Sequence, residues 1–232
     1  MLASGSSDEA WNAAQASYQC AVREGSLSLE LDALTQLGSL ASRVGGRTAK
    51  ENEAEAYLLR ALTRLGDLPA RFQRSLIEYE YGASLALQQP DAALVHFRRA
   101  LALSRALGDQ AGVAAALTSA SEALIETGDA ATALVTANEA LPLMQAQGNI
   151  GRVAACHAVL LKAMTALKDA RLGEEIAAAR RADGPQLASS RRVDLADAIA
   201  AALASMGQHA QAYAELQLSL IHISEPTRQE AI

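Results

Sequence analysis

Aromatic side chains are scarce. They make up 3% of the 232 residues, too little bulk for one large central core. Cysteine is scarcer still: Cys20 and Cys156 are too few and too far apart for a disulfide framework or a zinc site, and both are expected as buried small apolar residues. Only three lysines (Lys50, Lys162, Lys168) stand beside many arginines, and that balance in an Ala-rich chain points to a GC-rich bacterial source. There is no basic face. The formal charge of −6 is spread along the chain, which argues against nucleic acid as a partner. The first residues, MLASGSSDEAWN, lack the basic and apolar regions of a secretory signal. No uninterrupted apolar run approaches the ~20 residues of a membrane span. With Met1 taken as the start, a soluble cytoplasmic protein is expected, with no membrane partner.

What the chain has in abundance is alanine, which has the best helix propensity and lets helix backbones approach closely. Apolar residues recur at spacings of three and four, the mark of amphipathic helices. Ser7-Asp8 reads as an N-cap ahead of a first helix carrying Trp11, Ala14, Tyr18 and Ala21 on one face, stopped by Gly25. A second begins near Leu29 and ends in Gly45-Gly46, a third closes at Gly66-Asp67, and a fourth spans about 70–87. Pro90-Asp91 starts a fifth, and Thr127-Gly128-Asp129 joins a sixth to a seventh. An eighth spans about 151–167, a ninth 172–182 and a tenth about 186–206, before Gly207-Gln208 turns into an eleventh. Nothing alternates at period two, so the expected class is all-α with no strands.

The helices repeat. Gly108-Asp109 recurs as Gly148-Asn149, Val113-Ala114-Ala115 as Val153-Ala154-Ala155 and Asp129 as Asp169, each 40 positions on. A fixed period of this size indicates stacked hairpins rather than one globular core. The second helix of each hairpin carries a small-large-small stripe: Ala14-Tyr18-Ala21, Ala54-Leu58-Ala61 and Ala93-Phe97-Ala100, with Ala133-Ala137-Ala140 lacking the large residue. The first helix carries Leu34-Leu37-Gly38-Ala41 and Leu117-Ala120-Ser121-Leu124. This spacing resembles the tetratricopeptide repeat family from about Asp8 to Gln217, in its longer-period bacterial signalling form; the usual family period is 34. The resemblance implies an α-solenoid of antiparallel helix hairpins wound into a right-handed superhelix: an N-terminal helix and about five hairpins, the last truncated.

The final stretch, residues 218–232, reads LSLIHISEPTRQEAI and leaves the stripe where the last helix should reach its second alanine. It looks like the in-frame translation of a sequencing-library adapter. The expected domain therefore covers residues 1–217, with 218–232 a non-native tail that makes few specific contacts.

Candidate chemistry is thin. Gly45-Gly46-Arg47-Thr48-Ala49-Lys50 lacks the spacing of a phosphate loop and follows a helix rather than a strand. His96, His157 and His209 lie in three different helices with no second ligand at i+4, so each is expected as a surface or half-buried residue, and neither a metal nor another cofactor is expected. Cys156 and His157 are neighbours on one helix and point about 100° apart, so they cannot form a nucleophile–base pair directly. Arg98-Arg99, Arg180-Arg181, Arg191-Arg192 and Glu174-Glu175 read as solvated helix faces. No enzyme is expected within the chain.

In the tetratricopeptide family, ligands bind mainly to first-helix positions facing the concave side. The resemblance places Thr35, Gln36, Ser39 and Arg43 there in the first complete hairpin. The second contributes Tyr79, its register open by one residue because the turn before Pro90 is short. Thr118, Glu122 and Glu126 follow, then Lys162, then Asp194 and Asp197. The lining is small, polar and net acidic, without the cationic clamp of the family's chaperone-tail binders. The expectation is a non-catalytic scaffold that holds a peptide, a protein segment or a neighbouring domain of the same chain. The alternative is the N-terminal regulatory arm of a larger bacterial signalling protein, such as a diguanylate cyclase, sensor kinase or transcriptional regulator. Its output domain would lie beyond Gln217.

Overall fold

The computed structural model describes residues 2–44, 50–66, 68, 71–184 and 186–224, with side chains described for 8–42, 53–66, 68, 71–184 and 186–217. Among them every regular element is an α-helix. Two compact units divide the chain, residues 1–116 and 117–232. The first holds α1 (Leu2–Glu24), α2 (Leu27–Val44), α3 (Lys50–Leu65), α4 (Arg71–Leu85), α5 (Pro90–Leu107) and the start of α6 (Gln110–Glu126). The second holds the rest of α6, then α7 (Ala130–Ala146), α8 (Ile150–Leu167), α9 (Leu172–Ala182), α10 (Ser189–Ser205) and α11 (His209–Ser224). In the first unit α1 to α5 each pack on the next, and α2 also lies against α4. In the second the same holds from α7 to α11, with α8 against both α9 and α10. This is an all-α helical repeat built of antiparallel hairpins.

Several expected boundaries move. Helix α1 is already formed at Leu2, so Ser7 and Asp8 lie inside it rather than capping it. Gly25 does stop it, at φ +67°. Helix α10 starts at Ser189, three residues later than expected, because Leu187 and Ala188 belong to the turn. Gly45, Gly46 and Asp67 lie outside the described residues. Helix α11 carries its backbone past Gln217 to Ser224, and residues 225–232 lie outside the described part.

The turns explain the period. Gly108, Gly128, Gly148 and Lys168 fall 20 residues apart, and all four adopt the left-handed conformation (φ +69°, +83°, +65° and +54°). Each is followed by Asp or Asn, whose N–H bonds back to a carbonyl five residues earlier, Asp109 to Ser104 at 3.0 Å and Asp169 to Met164 at 2.9 Å. That bond closes one helix by a Schellman motif. The same residue opens the next, its side chain accepting from the first-turn backbone: Asp129 from Thr132 N–H and Asn149 from Arg152 N–H, both at 3.1 Å. One dipeptide thus ends a helix and begins another. Lys168 is the only described non-glycine residue at positive φ.

Within the hairpins a bulky residue of the second helix sits on a glycine of the first. A Cβ at Gly38 would lie 2.5 Å from Leu58 Cγ, and one at Gly82 would lie 2.7 Å from the Phe97 ring. Gly38, Leu58, Gly82 and Phe97 are all buried. Around these contacts the small stripe closes without gaps, with Ala54, Ala61, Ala93 and Ala100 at most 1% exposed. In the second unit, Ser121 stands where Gly38 stood and Ala137 where Leu58 stood, both fully buried. The first-helix residue has grown and the second-helix residue has shrunk. The rest of that unit centres on Leu161, Ile176, Leu195, Ile199 and Leu203. Helix α8 has the length and apolar composition of a membrane span, and more than half of it is buried in this core.

Charged pairs also lock the hairpins. The Arg64 guanidinium grips Glu30 with two hydrogen bonds, Nε to Oε1 at 2.9 Å and Nη2 to Oε2 at 2.8 Å. This grip holds the Glu30 carboxyl below its usual range. His96 Nδ1 lies 2.7 Å from Glu78, with Arg99 nearby, and His157 Nδ1 lies 2.6 Å from Glu175. His157, expected at or near the surface, is buried, and Glu175, expected in a solvated pair, is its partner.

Two predictions follow from the packing and the pairing. Gly82→Ala should destabilise the protein by about 1–3 kcal/mol, because the added methyl overlaps an aromatic ring and a backbone carbonyl. Thermal melting checks this, and an unchanged melting temperature would remove the glycine–Phe97 contact as a constraint. Arg64→Ala should lower the urea midpoint at neutral pH. A depressed carboxyl stabilises the fold above its ordinary pKa of about 4.3 and loses that contribution as the pH falls below it. The deficit of Arg64→Ala should therefore vanish in acid, which urea titrations at several pH values would reveal.

Candidate functional site

Three helices of the first unit converge on an open cleft of about 590 Å³. Helix α1 lends a face of small residues, Ala10, Ala13, Ala14 and Ser17, at spacings of three and four. Helix α2 lends Asp32, Thr35, Gln36, Ser39 and Leu40, and α4 lends Leu76 and Glu80. The small α1 face keeps the cleft open, because no side chain there is long enough to fill it. Thr35 is 5% exposed and its hydroxyl donates to the Leu31 carbonyl at 2.7 Å, so it shapes the wall rather than offering a free group.

A second cavity of about 230 Å³ lies on the other side of Leu76, lined by Phe72, Ser75, Leu76 and Tyr79 of α4, Ala100 and Ser104 of α5, and Asp109, Ala111, Gly112 and Ala115. Its polar groups are mostly engaged. Ser75 Oγ donates to the Ala100 carbonyl at 3.1 Å and lies 2.8 Å from Ser104 Oγ. Asp109 accepts from the N–H groups of Ala111 and Gly112 at 3.1 and 3.0 Å. The Tyr79 ring leans on Phe97 with centroids 5.9 Å apart, so the cavity wall continues into the hairpin core. Tyr79 and its neighbour Glu80 therefore line different cavities.

The expected groove residues separate into two groups. Thr35, Gln36 and Ser39 share the first cleft, Tyr79 lines the second, and the side chain of Arg43 lies outside the described residues. In the other unit Thr118 is 1% exposed and therefore not a surface contact; its hydroxyl lies 3.7 Å from Cys156 Sγ. Glu122 and Asp194 are drawn together by Arg191, whose Nη1 is 2.7 Å from Glu122 and 3.7 Å from Asp194. Glu126, Lys162 and Asp197 are exposed. Of the arginines expected on solvated faces, Arg98, Arg99, Arg180 and Arg181 are exposed, Arg180 bonding Glu215 through Nε at 2.8 Å, while half-buried Arg192 bonds Asp183 at 3.1 Å.

Projection of one helix at a time missed Ala10, Ala13, Ser17, Asp32 and Glu80. Asp32 lies one turn before Gln36, and the α1 face was visible as a second stripe beside Trp11 and Tyr18.

Several reactive side chains are buried or partnered. Burial pushes the Cys156 thiol up, and its ring neighbour His157 is committed to Glu175. Cys20 is half-buried rather than buried, its thiol 3.3 Å from Glu24. Burial and a hydrogen bond to Glu55 push the Tyr81 phenol up to about 12. Among the described residues no group of three or more His, Cys, Asp or Glu could hold a metal ion.

No family model and no curated protein matches the sequence. Among solved structures, the crystal structure of BtubC (BKLC) from P. vanneervenii is similar with a TM-score of 0.72, covering 97% of each chain at 17% identity. At that identity the likeness speaks for the helical repeat fold alone.

The two thiols should separate cleanly under native alkylation. Iodoacetamide followed by mass spectrometry should modify Cys20 in the folded protein and Cys156 only after denaturation. Rapid native labelling of Cys156 would contradict its burial.

Proposed function

We propose that the chain is a non-catalytic interaction scaffold of the tetratricopeptide type, which binds a peptide or an extended protein segment in the cleft between α1, α2 and α4. The observation that carries this reading is the cleft itself: about 590 Å³, open, with a small-residue wall and polar groups on the facing helix. Rigid helices that present a preformed groove with a few anchors suffice for peptide recognition. The acidic lining speaks for a protein partner over nucleic acid. Two free thiols suit a reducing compartment, and we place the protein in the cytoplasm.

Ala13→Trp tests the reading. Ala13 is exposed at the cleft wall, so the substitution should leave stability within about 0.5 kcal/mol while filling the groove. Peptides selected from a displayed random library by the unmodified chain should lose at least about tenfold in affinity for the variant. Equal affinity for both proteins, or no selected peptide at all, would defeat the proposal.

A further inference from the structure

Among the described residues, five acidic side chains that are half-buried or buried meet a cation. Glu30 meets Arg64, Glu78 meets His96, Glu175 meets His157, Glu122 meets Arg191 and Glu215 meets Arg180. Exposed Asp32 and half-buried Glu80 are arranged differently. Both line the cleft between α1, α2 and α4, and among the described residues neither has an ion-pair or hydrogen-bond partner and no cationic side chain lines the cavity. Glu80 is half-buried, where an uncompensated carboxylate costs more than one in open water. Among the described residues the cleft therefore presents two carboxylates without a neutralising partner.

The adjoining cavity has the opposite character. Leu76 borders both, and beyond it lie Phe72, Tyr79, Ala100, Ala111 and Ala115. Phe72 is 59% exposed and Leu76 40%, large apolar surface left at the mouth of a concave site. Asp109, the carboxylate at that end, accepts two backbone N–H hydrogen bonds on Oδ1.

We propose that the two cavities bind one extended peptide segment, which places a Lys or Arg side chain between Asp32 and Glu80 and a large aliphatic or aromatic side chain beyond Leu76, against Phe72 and Tyr79. This rests on the reading of the first cleft as a peptide site and names what that site selects. Glu80, Leu76 and Phe72 follow each other at one-turn intervals of about 5.4 Å along α4. An extended peptide advances about 3.3 Å per residue. The cationic and apolar anchors therefore stand about two to four residues apart in the ligand.

The test is selection from a displayed random dodecapeptide library on the full chain, followed by binding measurements with the winning peptides. The expected winners carry Lys or Arg about two to four residues from Leu, Ile, Phe or Met. Asp32→Asn and Glu80→Gln should each weaken them about threefold and together about tenfold, in line with partly exposed charge pairs, and added salt should do the same. Asp32→Lys combined with Glu80→Lys should redirect selection toward acidic peptides. Winners without a cationic residue, or winners indifferent to the Asn and Gln substitutions, would overturn this inference. If such winners still lose affinity on Ala13→Trp, the peptide site itself stands. Winners indifferent to Ala13→Trp as well would overturn both.

Discussion

The contact on which the first unit depends is a bulky side chain resting on a bare helix backbone: Leu58 on Gly38 and Phe97 on Gly82. Glycine inside a helix costs roughly 0.5–1 kcal/mol against alanine. Full burial of a Leu or Phe returns about 1.5–3 kcal/mol, enough to offset it. The gain is geometric as well as energetic. With no Cβ between them, the two helices of a hairpin approach closely, and the alanines above and below can touch. The spacing of α2 from α3 and of α4 from α5 is set there. Because α2 also lies against α4, the same contacts fix where Asp32, Gln36 and Glu80 stand around their cleft.

Asp32 and Glu80 share one cavity, so the cleft carries a local negative charge on the first unit. The wall opposite those carboxylates is alanine and serine, so charge and space occur together. Stability and recognition use different faces of the same helices. Glu30 and Asp32 are two residues apart on α2; the first is held by Arg64 of α3 and the second turns to the cleft.

Much of the fold was legible in the sequence. The glycine–aspartate junctions mark helix ends because one residue closes a helix by its backbone and opens the next by its side chain. The eleven helices follow from those junctions and from the three-four spacing. The start of α1 was not legible, because serines that read as a cap also continue a helix. His157 was misread for a related reason: Ala154 to Leu161 are buried all round α8, so no stripe separates inside from outside. Arg191 is half-buried but looked solvated, because its partner Glu122 is remote in sequence. Of the cleft, Thr35, Gln36 and Ser39 could be projected from one helix. The contributions of α1 and the side of α4 that faces it depend on packing between helices, which a periodicity does not carry.

The ion pairs of the hairpins have a bearing on assembly. In a chain of look-alike helices the hazard during folding is pairing with the wrong copy, since each apolar stripe fits several others. In α4/α5 the acid, Glu78, is on the leading helix and the imidazole on the trailing one; in α8/α9 the order is reversed. A mismatched pair of α4 with α9 would bring Glu78 toward Glu175, two acids at a buried seam, and α8 with α5 would bring two histidines. Such a clash discriminates against the wrong partner even when the apolar surfaces are interchangeable. The reversed polarity of these two seams works as an address, written in charge on helices whose apolar stripes are alike.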